Sequence, residues 1–282
     1  MLVITKQNIL PCAVVISVIL LTVSCATGPS SAPPGTPPFY WQAAQETFAV
    51  GDYVKANSHL EELVKEDNEY TARARPWRLI LTAGMARGYA ELANNFEAGG
   101  RANRANPTPF RTQTAEYRTM AGRHALQFAE TFLRFKTHDH TQPIPLDFGY
   151  PTGNPAQVVE LSKVANGVLL PEAQLAQVQK RVIERAVLLS LFEAVGAKED
   201  AAKTQAIFKA GNVQIEHDTF AMAMANNFHV LSSIFSREKL DRPDRMELFC
   251  NEGLEALKTV EETKECKKLV ADLEKLLKSV KR

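Results

Sequence analysis

The sequence predicts an all-α protein in which helical hairpins stack into a solenoid or an irregular helical bundle. Three observations lead there. Beyond Pro38 the chain is dominated by Ala, Leu, Glu, Lys and Gln, residues that favour helices. Strand-like alternation is hard to find. Short breaker sequences interrupt the apolar periodicity at Gly51-Asp52, Gly99-Gly100, Asn106-Pro107, Gly153-Asn154-Pro155, Gly211-Asn212 and Asp241-Arg242-Pro243.

Residues 1–24 read as an export signal. Lys6 is their only charged side chain, and an apolar run from Ile9 to Val23 follows. A run of about 15 residues suits a signal and is short for a spanning helix. The segment Leu21-Thr22-Val23-Ser24-Cys25 resembles the lipobox of bacterial lipoproteins. That resemblance implies cleavage before Cys25 and acylation of its thiol, so that Cys25 anchors the chain to the bilayer. Ala26 follows the cysteine where the family's inner-membrane retention signal has Asp, which implies the periplasmic face of the outer membrane, or the cell membrane if no outer membrane exists. An uncleaved anchor and cleavage near Ala26 without lipid are the other readings.

Residues 25–38 form the anchor and tether. From Ala26 to Pro38 there are five prolines, two glycines and no charge, a composition that gives a semi-rigid spacer rather than a core. At roughly 3 Å per residue it spans up to about 40 Å.

Two helical subdomains follow, 39–136 and 156–282, joined by a Pro/Gly-rich loop at 137–155. The first is expected to hold helices Phe39–Val50, Tyr53–Glu66, Ala72–Ala98 and Pro109–Lys136. The second is expected to hold Ala156–Asn166, Pro171–Val195, Glu199–Ala210, Glu216–Ser236, Arg242–Thr259 and Glu261–Ser279. Pro109, Pro171 and Pro243 each suit a helix's first turn, where a missing N–H is harmless. The loop contains four prolines and two glycines. Its length admits a binding role or a plain linker.

The first hairpin carries the clearest motif. Ala44, Gly51, Asp52, Tyr53, Ala56, Leu60 and Leu63 resemble one tetratricopeptide repeat over Pro37 to Tyr70, although Asn68 replaces the usual closing proline. The resemblance implies a helical repeat surface for a protein or peptide partner, with Trp41, Gln45 and Phe48 on the inner helix as the partner-binding residues. The lipobox, the short hairpin, and the alanine- and arginine-rich stretches Ala72-Arg73-Ala74-Arg75 through Gly88-Tyr89-Ala90 and Arg123 to Glu130 resemble more weakly the T-component lipoproteins of TRAP-type transporters. That alternative implies an accessory protein that binds a small organic ligand.

Composition narrows the function. After the signal is removed, 32 basic and 32 acidic side chains remain. Such a neutral chain offers no electrostatic footprint for nucleic acid. Membrane attachment rests on the Cys25 lipid alone. No nucleophile elbow, phosphate loop or metal-protease helix occurs, so no catalytic residue, metal or cofactor is assigned. His138-Asp139-His140 supplies too few ligands for a metal site without further residues. Trp41, Phe48, Trp77, Tyr89, Phe96 and Phe110 lie among Arg73, Arg75, Arg78 and Arg87, a mixture that suits either a ligand groove or a core edged by arginine stems.

Cys250 and Cys266 remain after Cys12 leaves with the signal and Cys25 takes the lipid. On one continuous helix they would stand about 24 Å apart. A hairpin turning near Lys258 to Glu262 would bring them opposite each other. A disulfide and two buried thiols are both open.

Overall fold

The computed structural model describes residues 32–136, 141–153 and 155–280. The signal, Cys25, the tether to residue 31 and His138-Asp139-His140 lie outside the described residues. Ten helices and two short strands appear among those described. They are α1 (Pro37–Ala49), α2 (Tyr53–Leu63), α3 (Thr71–Ala102), α4 (Thr108–Phe135), β1 (Ile144–Leu146), α5 (Glu160–Ala165), α6 (Glu172–Ala194), α7 (Ala201–Lys209), β2 (Val213–Ile215), α8 (His217–Ser232), α9 (Pro243–Ala256) and α10 (Lys264–Val280). A single 3-10 turn at Ser233–Phe235 continues α8. The all-α character expected from the composition is present. Among the described residues no helix is long and apolar enough to cross a membrane.

The chain from Pro33 onward clusters as one compact unit. Its core runs from Trp41 in α1 to Leu273 in α10, so both halves share one apolar interior. Helix α3 is the axis of that interior. It packs against α2, α4, α5, α6, α8 and β1. Every residue from Pro76 to Ala86 is buried, which means the helix is enclosed on all sides over three turns.

Glycines set the depth of this packing. A Cβ at Gly84 would stand 2.5 Å from Val187 Cα of α6, and one at Gly88 would stand 2.8 Å from Ile183 Cδ1. At Gly84 the obstruction is the α6 backbone itself, and at Gly88 it is the tip of Ile183 with its Cα 3.1 Å away, so α3 and α6 pack closely along this seam. Gly99 serves the same purpose further along, where a Cβ would lie 2.2 Å from the Val164 carbonyl oxygen and 2.6 Å from the Phe110 ring. Gly99-Gly100 therefore does not end the helix as expected. The pair lies inside α3, which runs on to Ala102, and Gly99 is there for close contact with α4 and α5.

The α1–α2 turn follows its chemistry. Gly51 adopts φ +75°, and the Asp52 carboxylate accepts from the Lys55 amide at 3.3 Å to cap α2. The 137–155 loop differs more from expectation. Its described part is a strap built into the core. Ile144 to Leu146 pair antiparallel with Val213 to Ile215, in the register Ile144 with Ile215. Phe148 stacks on Trp77 with centroids 4.5 Å apart and planes 10° from parallel, and it also touches Trp41 and Phe48. Thr152 donates from its amide and its hydroxyl to the Ala49 carbonyl, at 3.1 and 2.7 Å.

The α9–α10 hairpin turns near residues 257–263, yet Cys250 and Cys266 are unbonded and buried. Register is the reason. Leu273 of α10 lies against Gly253 of α9. That alignment sets the two cysteines roughly ten residues out of step, about 15 Å along the hairpin. A disulfide needs Cα atoms within about 7 Å. Burial, with the Glu247 charge adding to it, pushes the Cys250 thiol up to about 11.

Two outcomes are expected. Gly84→Ala, a change that would stabilise an open helix, destabilises this protein by about 1–3 kcal/mol in urea unfolding because the methyl group meets the α6 backbone. Alkylation of the denatured, unreduced protein labels Cys250 and Cys266 individually in peptide mapping, and recovery of a linked peptide pair would contradict the register.

Candidate functional site

Trp41 and Phe48, the aromatic members of the expected partner face, are core residues. Trp41 is 6 % exposed and Phe48 is fully buried. The strap explains this, because Phe148 covers the side of α1 that a neighbouring helix or partner would use. Gln45 alone of the three keeps a half-buried position without belonging to the core. Trp77, Tyr89, Phe96 and Phe110 are buried as well, so the aromatic-rich first half builds an interior rather than a groove.

The arginines expected among these aromatics are internally matched. Arg73 pairs with Asp147 of the strap and lies over the Trp41 ring at 4.8 Å. Arg75 meets Asp67 at 3.1 Å, Arg78 meets Glu61 at 3.4 Å, and Arg87 meets Glu193 at 2.8 Å. Arg78 is buried, and burial lowers its affinity for its proton, with Glu61 opposing that effect. Each of these four cations already has a carboxylate partner inside the protein.

A different set of arginines is left unbalanced. At the corner where α3 leads into α4 there is an open cleft of about 720 Å³. Two helical stripes face each other across it. Helix α3 and the turn after it supply Glu97, Gly100, Arg101 and Arg104, and α4 supplies Arg111, Thr114, Ala115 and Arg118. Both sets follow the i, i+3, i+4, i+7 spacing of a single helix face. The turn between them is fixed by Asn103. Its side-chain amide donates to the Gly167 carbonyl at 3.0 Å, and its amide oxygen accepts from the Asn106 amide at 3.0 Å.

Glu97 is the one acidic residue lining the cleft. Its Oε1 faces Arg118 at 3.1 Å and Arg101 at 3.7 Å. Arg104 and Arg111 have no carboxylate partner among the described residues. The Nε of Arg118 is buried and makes no hydrogen bond there. Arg111 also sits in the first turn of α4, a turn with no acidic residue and no side-chain cap. A positive charge at that end of a helix opposes the helix dipole. Lys239 adds to the crowding. Burial, and after it the Arg118 guanidinium, holds its ammonium below the ordinary lysine value.

Guanidinium groups bind carboxylates and phosphates in bidentate fashion. Four of them around one carboxylate leave an excess of positive charge that an oxyanion would complement. The cleft also falls within the roughly 300–1,000 Å³ typical of ligand sites. Sequence reading overlooked these residues, although the two stripes flank the Asn106-Pro107 break and their spacing was visible.

Two further concavities among the described residues are smaller. One of about 270 Å³ lies between the α1–α2 turn and α6, lined by Tyr53, Tyr89, Gln179 and Lys180 among others. Another of about 160 Å³ lies beside Phe132, Phe135 and Met224. Among the described residues no three His, Cys, Asp or Glu side chains converge as metal ligands. Comparison with known proteins returns no matching family model, no matching curated protein and no matching solved structure.

Proposed function

We propose that this protein is a non-catalytic, extracytoplasmic lipoprotein, held by acylated Cys25 at the periplasmic face of the outer membrane, whose TPR-like helical body binds an anionic ligand in the cleft between α3 and α4. The export signal and the cysteine at its end support the location. The observation that carries the binding reading is the charge imbalance of the cleft, four arginines around Glu97. Elsewhere on α3 the arginines have carboxylate partners, so the imbalance is local to this corner.

Among the two sequence-based expectations, a small organic ligand suits this cleft better than a partner on the α1 face. It accords with the accessory role that the TRAP-type resemblance implies. An envelope protein or peptide is the second reading. The cleft is open to solvent along two helices, and an acidic peptide segment could lie between the stripes.

Two experiments test the proposal. Wild-type protein partitions into the detergent phase and Cys25→Ser into the aqueous phase of the same extraction. Equal partitioning of both would remove the lipid anchor. In titration calorimetry at low salt, the wild-type protein binds pyrophosphate or citrate, and the double variant Arg104→Ala, Arg111→Ala binds them roughly 100-fold more weakly, the loss of two charge-assisted contacts. Unchanged affinity in the double variant would remove the cleft as the site.

A further inference from the structure

Resting on the reading that this cleft binds an anion, we propose that its ligand is a small soluble polyanion carrying at least two oxyanion groups, and that Glu97 sets this requirement by occupying the place of a third. Glu97 Oε1 stands between Arg118 and Arg101 as a ligand carboxylate would. An incoming single anion finds Glu97 already holding Arg118 and Arg101 at that end, and it meets unpaired guanidiniums only at Arg104 and Arg111 at the other end. A ligand with two or more charged groups can engage Arg104 and Arg111 while sharing Arg101 and Arg118 with Glu97. The α4 stripe from Arg111 to Arg118 extends about 10 Å along its helix, which gives such a ligand room for separated groups.

Charge supports the same conclusion. Four guanidiniums less one carboxylate leave three positive charges uncompensated in the lining. The unpartnered Nε of Arg118 offers a further donor beside Glu97. The wall chemistry selects a soluble ligand over a lipid. Phe96 is the only large apolar side chain in the lining, and it is 2 % exposed, so an acyl chain would meet arginine stems and small side chains rather than a large apolar wall.

The test uses the full-length lipoprotein in detergent micelles, titrated at constant ionic strength with inorganic phosphate, pyrophosphate and citrate. Wild-type protein is expected to bind pyrophosphate or citrate roughly tenfold or more tightly than phosphate, the effect of one additional charge-assisted contact. Whichever of the two binds more tightly names the class, phosphorylated or polycarboxylate. Glu97→Gln is expected to strengthen phosphate binding several-fold and to narrow that gap. Glu97→Ala, which removes the carboxylate without introducing the glutamine amide, is expected to behave in the same way, and thermal melting confirms that both variants are folded. Equal binding of phosphate and the polyanions by wild type, or unchanged phosphate binding in folded Glu97 variants, would overturn the inference and leave the cleft as a simple anion site. No binding of any of the three by wild type would overturn both.

Discussion

The close approach of α3 and α6 at Gly84 and Gly88 is the constraint on which the rest of the structure depends. With no α3 side chain between the two backbones, α3 sinks into the interior until every residue from Pro76 to Ala86 is covered. The other elements then pack around it. The strap lays Phe148 on Trp77 from one side, and α4 runs along another. Gly99 applies the same device to the far end of α3, where the Val164 carbonyl and the Phe110 ring press against the helix. That contact fixes where α4 begins, and so it fixes the two facing stripes of the arginine cleft.

A helix buried this deeply imposes an electrostatic rule. A charge in its enclosed part must be matched, because leaving one unpaired away from water is costly. Arg78 and Arg87 obey this through Glu61 and Glu193. Beyond Gly99 the helix emerges, and the rule relaxes. There Arg101 and Arg118 share Glu97, and Arg104 and Arg111 have no carboxylate partner among the described residues. Helix α3 therefore carries a charge-matched structural half and leads at its far end into the charge-unbalanced corner proposed as the ligand site.

Much of the helical layout was legible in the sequence. The hairpin of α1 and α2 follows directly from Gly51 and Asp52, whose positive φ and side-chain cap are local properties. Proline positions marked the starts of α4 and α9 for similar local reasons. What failed depended on tertiary contact. Gly99-Gly100 looks like a helix end, because nothing in the sequence distinguishes a glycine that breaks a helix from one that admits a neighbouring backbone. The strap was hidden by its prolines, since its pairing partner at Val213–Ile215 lies far along the chain. Trp41 and Phe48 satisfied the spacing of a repeat's inner face, but that spacing is the same whether a partner or Phe148 covers it. The pairing of Cys250 and Cys266 turned on a hairpin register set by Gly253 and Leu273. For the cleft, each stripe was readable alone, and only the antiparallel return of α4 joined them into a site.

Native-state hydrogen exchange along α3 tests the central claim most directly, since amides at the enclosed axis exchange only when the whole domain opens. The account predicts that the segment from Trp77 to Gly88 is the most slowly exchanging in the protein, with an opening free energy equal to that of global unfolding. Exchange there as fast as in α7 or α10, or an opening free energy well below the global value, would contradict it.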